Sequence, residues 1–473
     1  MNIALNTDII GLRRESTRVL LYKMDKYDHL VEKYGFIHPS AAIFLSLLNH
    51  KKDLDETTKE LFYVSGLPTL EDSERYVSNV MHDLKLAFGD DIFVDLDAEP
   101  DLNINSYNPM DFIIENQKIN LNGQRLDTPL DINFIVTQEC NRSCIYCYAE
   151  KEQAPKFDLL PLKRVLEIID EAKSIGVCDI TFSGGDPFLR KDLVGILEHT
   201  IKLGIKPFVS TKQYLSLEIC KKLKKIGLNS IQVSIDSSQA EIANFLVGSP
   251  NFFQQIIKTI KNLKTAGLEV KTKAIVTPFN IFSIPELLNL VVKLGADRMQ
   301  VTQYGKSAFR HRENLFLEES EIKWLKKEIE KFKMHNPTMI VFDNLEVYKP
   351  VTDPEEKLKS YMNRSVCSIG KVAVTILPDG KVLACEQLPT EEKYIVGDLS
   401  TQSIMDVWNS ERLWNIVVPP KELFKGELCY SCSQFVECHE EKGRCIRDAV
   451  NAYGKAFTPD PRCPFNTNEV RLK

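Results

Sequence analysis

Residues 131–345 alternate between short apolar strands and amphipathic helical segments, and this alternation limits the possible folds more than any other feature of the chain. In the first helical segment, Val165, Ile169 and Ala172 fall on one face. Repeated strand–helix units form parallel sheets covered by helices. The sequence therefore predicts an α/β protein whose centre is a partial (β/α)6 TIM-like barrel. The six predicted strands are 132–136, 179–182, 207–210, 230–235, 270–276 and 298–302.

Three cysteines, Cys140, Cys144 and Cys147, follow the first predicted strand directly. Loops that leave the carboxyl ends of barrel strands usually carry the functional groups. Three thiolates this close together suit zinc or an iron–sulfur cluster. Zinc usually takes four ligands, and no fourth cysteine or histidine lies nearby in the sequence. A cubane held by three thiolates keeps one iron free for another ligand; a structural metal knot or a chance cluster is the alternative.

The spacing of this loop, with Tyr146 before the last cysteine, resembles the C-x3-C-x-aromatic-C loop of the radical S-adenosylmethionine (SAM) enzymes. The resemblance implies that the three cysteines hold a 4Fe-4S cluster and that SAM binds its free iron. One electron from the cluster would cleave SAM to methionine and a 5′-deoxyadenosyl radical. The protein would then hold the substrate carbon in contact with the cofactor and keep water out.

Polar residues after the later strands resemble the SAM-binding positions of the same family. The Gly-Gly-Glu-Pro loop, which receives the SAM amino group in that family, has Asp186 in place of glutamate. Ser210-Thr211-Lys212 stands where related enzymes often have Thr-Asn-Gly, and Val247 precedes Gly248 where many have arginine. The cofactor-binding residues implied by the resemblance are Tyr146, Gly184, Gly185, Asp186, Pro187, Ser210, Ser234 and Asp236.

Residues 346–473 contain seven more cysteines. Cys429 and Cys432 form a C-x2-C pair with Cys438 five residues beyond it, and two zinc sites are one physical interpretation. The pattern resembles the SPASM domain of radical SAM peptide maturases, except that six residues instead of three precede Cys445. The resemblance implies two auxiliary 4Fe-4S clusters, so three clusters in all. The outer cluster would be held by Cys429, Cys432, Cys438 and Cys463, and the inner cluster by Cys367, Cys385 and Cys445.

The implied inner cluster lacks a fourth cysteine, because none lies between Cys367 and Cys385. Glu386 or a substrate atom would fill the position, or it stays open. An open iron would bind a peptide thiol and lower its pKa.

Residues 1–105 contain no cysteine and no acid–base cluster. Two or three short strands and three helical segments predict a small winged-helix-like domain. Its order of elements resembles the PqqD-like domain that binds the leader of a precursor peptide as an added strand. A packing or dimerisation domain is the alternative. Residues 106–130, rich in Asn, Pro and Gly, are predicted to be a linker; 131–345 would be the radical SAM core and 346–473 the SPASM domain.

A net charge of −6 without a basic block argues against a nucleic acid partner. The apolar stretches are too short to cross a bilayer, and residues 1–19 lack the apolar core of a signal peptide. Twelve cysteines without a secretory signal favour metal ligation over disulfides. We therefore expect a cytoplasmic protein with no membrane partner.

Together these features predict an enzyme that modifies a ribosomally made precursor peptide by radical SAM chemistry. A thioether link between a cysteine and a carbon is the product we expect, with a flavodoxin- or ferredoxin-type electron donor. C–C crosslinking or residue oxidation of the formylglycine type is the alternative among enzymes. A non-catalytic iron–sulfur or zinc protein, for binding or electron transfer, is the alternative of another class.

Overall fold

The computed structural model describes residues 3–25, 31–48, 53–65, 68–98, 107–149, 158–305, 312–347 and 353–466. The chain divides into two units, Met1–Asp127 and Thr128–Lys473. The boundary lies near the end of the segment that the sequence analysis treats as a linker.

The first unit combines short antiparallel sheets with three helices. The three helices form as predicted, whereas the described residues form five strands instead of two or three. Strand β3 pairs with β2 on one side and β4 on the other, and β1 pairs separately with β5. Leu5, Leu21, Phe44 and Leu61 are among the fully buried side chains of its core. The elements are β1 Ile3–Leu5, β2 Ile10–Arg14, β3 Val19–Met24, β4 Val31–Ile37, α1 Pro39–Leu47, α2 Leu54–Ser65, α3 Leu70–Phe88 and β5 Phe93–Asp95.

Residues 107–127 pack against this first unit. Phe112 is buried, and the hydroxyl of Tyr107 accepts a hydrogen bond from the backbone of Leu12. Arg18, itself buried, stacks on Phe36 and donates to three backbone carbonyls of the segment, at positions 122, 123 and 125. Polar composition predicted a linker here, whereas a few apolar side chains and one arginine hold the segment in place.

Replacing Arg18 with methionine is expected to release residues 107–127 from the first unit. The variant loses three hydrogen bonds, and at about 1 kcal/mol each the free energy of unfolding falls by roughly 3 kcal/mol. Urea denaturation and the rate of thermolysin cleavage within 107–127 measure the effect. Arg14→Met, on the exposed end of β2, is the matched control and should leave both unchanged. Equal cleavage rates in the two variants would contradict the anchoring role.

The second unit is built on a single ten-stranded sheet with the order β12-β11-β10-β9-β8-β7-β6-β13-β14-β15. Strands β6 to β12 run parallel to their neighbours, so their carboxyl ends lie at one edge. The strands are β6 Asp131–Thr137, β7 Asp179–Gly184, β8 Lys206–Thr211, β9 Ser230–Ser234, β10 Glu269–Val276, β11 Arg298–Gln303, β12 Ile340–Asn344, β13 Ala373–Ile376, β14 Lys381–Leu383 and β15 Ile395–Asp398.

All six predicted strands form, as β6 to β11, within two residues of the predicted bounds, and the predicted fold class is confirmed. Strand β12 was not predicted, because its five residues end in polar Asp343 and Asn344. Strand β13 pairs in parallel with β6, so the cysteine-rich segment extends the same sheet through the β13–β14 hairpin.

Helices cover the sheet and bury their apolar faces on it. In α4, Val165, Ile168, Ile169 and Ala172 are buried, which is the face the sequence predicts. The helices are α4 Leu162–Ser174, α5 Leu193–Lys202, α6 Leu217–Lys225, α7 Ala240–Val247, α8 Phe252–Thr265, α9 Ile284–Lys293, α10 Glu319–His335, α11 Pro354–Met362, α12 Ile404–Trp408, α13 Glu411–Val417 and α14 Ile446–Tyr453.

In the part of the chain that the structure describes, none of the helices combines the length and the apolar character needed to cross a membrane.

Candidate functional site

The loop with the first three cysteines leaves the carboxyl end of β6 and is held by its backbone. Ser143 N–H donates to Val247 O at 3.0 Å, and Ile145 N–H donates to Leu246 O at 2.9 Å. Both acceptors lie in the last turn of α7, whose final carbonyls have no partner within the helix. The helix end therefore fixes the middle of the loop.

Gly248, which follows α7 directly, is required by the same contact. Its φ of +65° is in the left-handed region that favours glycine. A Cβ at this position would lie 3.0 Å from Ser143 O and 3.1 Å from Ser143 Cβ. The Val247–Gly248 pair thus keeps a glycine against the cysteine loop, although it lacks the arginine that many radical SAM enzymes have before it.

Gly184 and Gly185 also lie directly against the cysteine loop. Gly185 N–H donates to Thr137 O at 2.9 Å. A Cβ on Gly184 would lie 2.1 Å from Thr137 O, and one on Gly185 would lie 2.2 Å from Glu139 O. Since real Cβ atoms never approach so closely, only two glycines let β7 end against this loop.

Asp186 is buried and its carboxylate is occupied by protein donors. It accepts hydrogen bonds from the Thr211 hydroxyl at 2.9 Å, from Lys212 N–H at 2.8 Å and from Phe188 N–H at 3.1 Å. Burial raises the pKa of Asp186, and these donors oppose the rise. The residue therefore joins the end of β7 to the end of β8, and its short side chain also caps the turn that begins at buried Pro187.

Tyr146 and Asp236 form a buried pair that joins the cysteine loop to β9 and β10. The Tyr146 hydroxyl donates to one carboxylate oxygen of Asp236, and Ile275 N–H donates to the other at 2.9 Å. Asn280 Nδ2 donates to Asp236 O at 2.6 Å. Asp236 has no exposed surface, and burial raises the pKa of Tyr146 well above its ordinary value.

Lys212 brings a positive charge to the same place. Its ammonium nitrogen lies 5.5 Å from the centre of the Tyr146 ring. Burial alone would lower the pKa of Lys212, but Asp236, Cys144 and Cys147 raise it above its usual value. A cation beside two of the three thiols fits an anionic group such as an iron–sulfur cluster with its bound cofactor. Lys212, whose role the sequence left open, is therefore a residue of this site.

The remaining residues of the predicted SAM face lie at the same sheet edge. Ser210 is half-buried near the end of β8, and Ser234 is buried as the last residue of β9. The predicted cofactor-binding residues therefore lie at the ends of β7, β8 and β9 or in the loops that follow β6, β7 and β9, at the edge of the sheet where the cysteine loop begins.

The four cysteines predicted for the outer cluster line one cavity. Burial raises the pKa of the Cys429 thiol to about 12, the charge of Arg444 opposes this rise, and the charges of the other three thiols add to it. Arg444 lines the same cavity, is 4% exposed, and has two nitrogens, Nε and Nη1, that are buried without a hydrogen-bond partner in the described residues. A buried, incompletely paired cation facing four thiols fits an anionic cluster.

The family model of the radical SAM superfamily matches residues 134–291, and that of SPASM, an iron–sulfur cluster-binding domain, matches residues 367–434. The first match begins in β6 and spans the cysteine loop, both glycines and Asp236. The chain contains a radical SAM domain and a SPASM domain. The 4Fe-4S and SAM cofactors belong to this class, and the donor sets described above fit them.

Relatives and solved structures agree with this family. PqqA peptide cyclase of Methylorubrum extorquens (strain PA1) is 24% identical over 359 residues, which are 74% of this chain and 88% of the relative. Streptococcus suis SuiB bound to S-adenosylmethionine has a TM-score of 0.64 at 18% identity, covering 97% of this chain and 99% of SuiB. SuiB bound to precursor peptide SuiA has a TM-score of 0.62 at 16% identity, covering 97% and 98%. These structures show that the fold is shared.

Within the SPASM domain, the three cysteines predicted for the inner cluster are close enough for their charges to interact. Burial raises the pKa values of Cys385, to about 11, and of Cys445, to about 12, and the charge of Cys367 adds to both shifts. Glu386, predicted as one possible fourth ligand, accepts from Asn133 Nδ2 at 2.5 Å and from the Tyr148 hydroxyl. Its carboxylate therefore bonds to groups of the radical SAM domain.

The unusual spacing before Cys445 has a structural cause. Glu437–Lys442 form a π-helical turn, which takes up extra residues without breaking the helix. Buried Lys371 donates to the carbonyls of Glu440 and Glu441, and Cys367 N–H donates to Lys442 O. The inserted residues are thereby tied to the segment of Cys367.

No three His, Cys, Asp or Glu side chains converge tightly enough for a single metal ion anywhere in the described ranges.

Sequence reasoning missed three residues beside the cysteines of the SPASM domain. They are Arg364, Arg444 and His439, which is sandwiched between the rings of Phe424 and Phe435. Burial lowers the pKa of His439 to about 3, so it is neutral. A signal was present, because Arg444 and His439 are sequence neighbours of Cys445 and Cys438.

Proposed function

We propose that this enzyme is a maturase that modifies a ribosomally made precursor peptide. The observation that carries the proposal is the convergence of the cysteine loop, the paired glycines and Asp236 at one sheet edge, in a chain that also has a SPASM domain. The names of two similar proteins, a PqqA peptide cyclase and SuiB with its precursor peptide, support a peptide as the substrate.

The proposed cofactors are SAM and three 4Fe-4S clusters, one at Cys140, Cys144 and Cys147 and two in the SPASM domain. Bound at Cys140, Cys144 and Cys147, a reduced cluster would supply the electron that cleaves SAM and so the radical chemistry that removes hydrogen from a substrate carbon. The protein positions the reacting groups. Gly184, Gly185 and Gly248 let the backbone pack closely against the cysteine loop. Asp236 and Lys212 supply fixed charges beside that loop. Burial of this edge excludes water from the reacting groups.

We propose a cysteine-to-carbon thioether link as the product. Joining a C–H carbon to an S–H sulfur removes two hydrogen atoms. One leaves with 5′-deoxyadenosine, and the other leaves as a proton and an electron, which an auxiliary cluster would accept. The three-cysteine inner set supports this proposal, because a cluster held by three thiols has room for a substrate thiol.

We further propose that the first unit binds the leader of the peptide. In the described residues β4 pairs only with β3, and most of its side chains are half-buried or exposed. An extended leader can therefore add to this free edge by main-chain hydrogen bonds. A flavodoxin- or ferredoxin-type protein is the proposed electron donor.

The test is 5′-deoxyadenosine production from SAM after anaerobic reconstitution, with dithionite as reductant and peptides encoded next to the gene as substrates. We expect Cys144→Ala to abolish 5′-deoxyadenosine, since this thiol belongs to the first set. Cys385→Ala should keep 5′-deoxyadenosine production but lose the modified peptide.

Tandem mass spectrometry of the peptide then locates the bond. A product lighter by two hydrogens with a blocked cysteine supports the thioether, whereas a free cysteine indicates the C–C alternative. An enzyme that holds iron but never cleaves SAM would refute the proposal and favour a non-catalytic electron-transfer protein.

A further inference from the structure

Two arginines of the SPASM domain lie against the outer cysteines, and the protein pairs them only in part. Arg444 donates from Nη2 to Ala456 O, but its buried Nε and Nη1 have no hydrogen-bond partner in the described residues. Native proteins rarely leave buried N–H groups unpaired, so such groups require an explanation. They line the cavity of the four outer cysteines, together with the aromatic ring of Phe435.

Arg364 contacts one of these cysteines directly. Its Nη2 lies 3.2 Å from Cys438 Sγ and 3.1 Å from Cys438 O, and its guanidinium stacks 3.9 Å from the centre of the Tyr361 ring. The Tyr361 hydroxyl is 3.5 Å from the same sulfur. Cys438 Sγ therefore has two hydrogen-bond donors, one of them charged.

The other charged groups of this cavity do not cancel the two arginines. Asp460 is the one carboxylate among the described residues that line it, and Arg462 holds that carboxylate at 3.0 Å. The inner cysteines also have cations near them, among them Lys371 and Arg447, and Arg447 is paired with Asp448 at 2.9 Å and bonded to Gln387 at 3.0 Å. The outer cysteines thus keep two arginines beside them that the carboxylate of their own cavity does not neutralise.

We propose that Arg444 and Arg364 raise the reduction potential of the outer cluster. Reduction adds one negative charge to the cluster, and a buried cation stabilises that charge more strongly than a cation exposed to water does. Hydrogen bonds to the cysteine sulfurs act in the same direction. The inference rests on the proposed assignment of the four outer cysteines to one cluster.

The test is a potentiometric titration of the reconstituted holoenzyme, followed by EPR, with Arg444→Met and Arg364→Met. Each variant removes a charge and keeps an apolar side chain of similar length. We expect the reduction potential of the species behind one EPR signal to fall by at least about 59 mV. For a one-electron couple this shift is a tenfold change in the equilibrium constant of reduction. Arg444→Lys keeps the charge and should restore most of the potential.

Arg412→Met is the matched control, because Arg412 is an exposed arginine of the same domain, and all potentials should stay unchanged. A Cys429→Ala, Cys432→Ala double variant identifies the outer signal by its loss. If Arg444→Met does not retain iron, the potential of the outer cluster in Arg364→Met provides the test. An outer potential unchanged or raised in the iron-loaded variants overturns the proposal. If the double cysteine variant loses no signal, the cluster assignment itself fails, independently of any peptide modification.

Discussion

Replacing Gly185 with alanine is expected to abolish loading of the first cluster. The added Cβ would lie 2.2 Å from Glu139 O and 2.5 Å from Gln138 O, both backbone atoms of the loop that leads to Cys140. Because neither atom belongs to a side chain that can rotate away, the loop itself must move. The end of α7 also holds the loop from the other side. Movement at Gln138 and Glu139 therefore shifts Cys140 relative to Cys144 and Cys147, so the three thiols no longer fit one cluster.

Iron content and the EPR signal of the reduced enzyme measure this effect, and 5′-deoxyadenosine production should disappear with the signal. Gly195→Ala is the matched control: Gly195 lies within α5, and a Cβ there meets no atom within 4 Å. That variant should load normally and gain about 1 kcal/mol of stability, since alanine favours helix over glycine. A Gly185→Ala enzyme with full iron at the loop would show that the glycine pair is not needed for close approach.

The parts of the site that the sequence predicts are those that depend on short spacings. The loop of Cys140, Cys144 and Cys147 is local, and each polar residue of the SAM face lies within two positions of the end of a strand. Parallel strands bring such residues together regardless of the loops between them. For this reason the sheet edge with Asp186 and Asp236 was predictable before any coordinates.

The contacts that hold these residues in place were not predictable, because they join segments far apart in the chain. Gly248 was only a departure from a family pattern until its contact with Ser143 was seen. Lys212 has no sequence signal for its position beside Tyr146 and the cysteines. Its charge matters only because the fold places it among acidic groups and thiols.

The cysteine-rich segment shows the same division. The C-x2-C pair and the β13–β14 hairpin are local patterns, and they form. The pairing of β13 with β6 is not local, and it makes the SPASM domain part of the central sheet. As a consequence Glu386, one residue after Cys385, reaches Asn133 on β6. The hairpin that precedes Cys385 and the radical SAM domain are therefore parts of one sheet.

The Asp236 carboxylate joins the cysteine loop to β10, and its removal should cost both stability and SAM affinity. In Asp236→Ala, the Tyr146 hydroxyl and Ile275 N–H are left buried without their acceptor, at about 1–3 kcal/mol each. Asp236→Asn keeps one acceptor oxygen but turns its NH2 group toward a donor. Its losses of stability and SAM affinity should therefore be smaller than those of Asp236→Ala. Tyr146→Phe loses only the hydroxyl and should have the smallest effect.

Calorimetric titration of SAM into the iron-loaded enzyme measures the affinity, and urea denaturation measures the stability. We expect the dissociation constant of SAM to rise at least about tenfold in Asp236→Ala, because losing even 1.4 kcal/mol has that effect. Asp297→Asn is the matched control, since Asp297 also accepts from a strand N–H, that of Val270, and pairs with Lys264. It lies at the amino ends of the strands, so its loss should lower stability without changing SAM affinity. Equal affinity losses in both variants would mean that Asp236 acts only through global stability, whereas a loss confined to Asp236 identifies it as the group that positions the cofactor face.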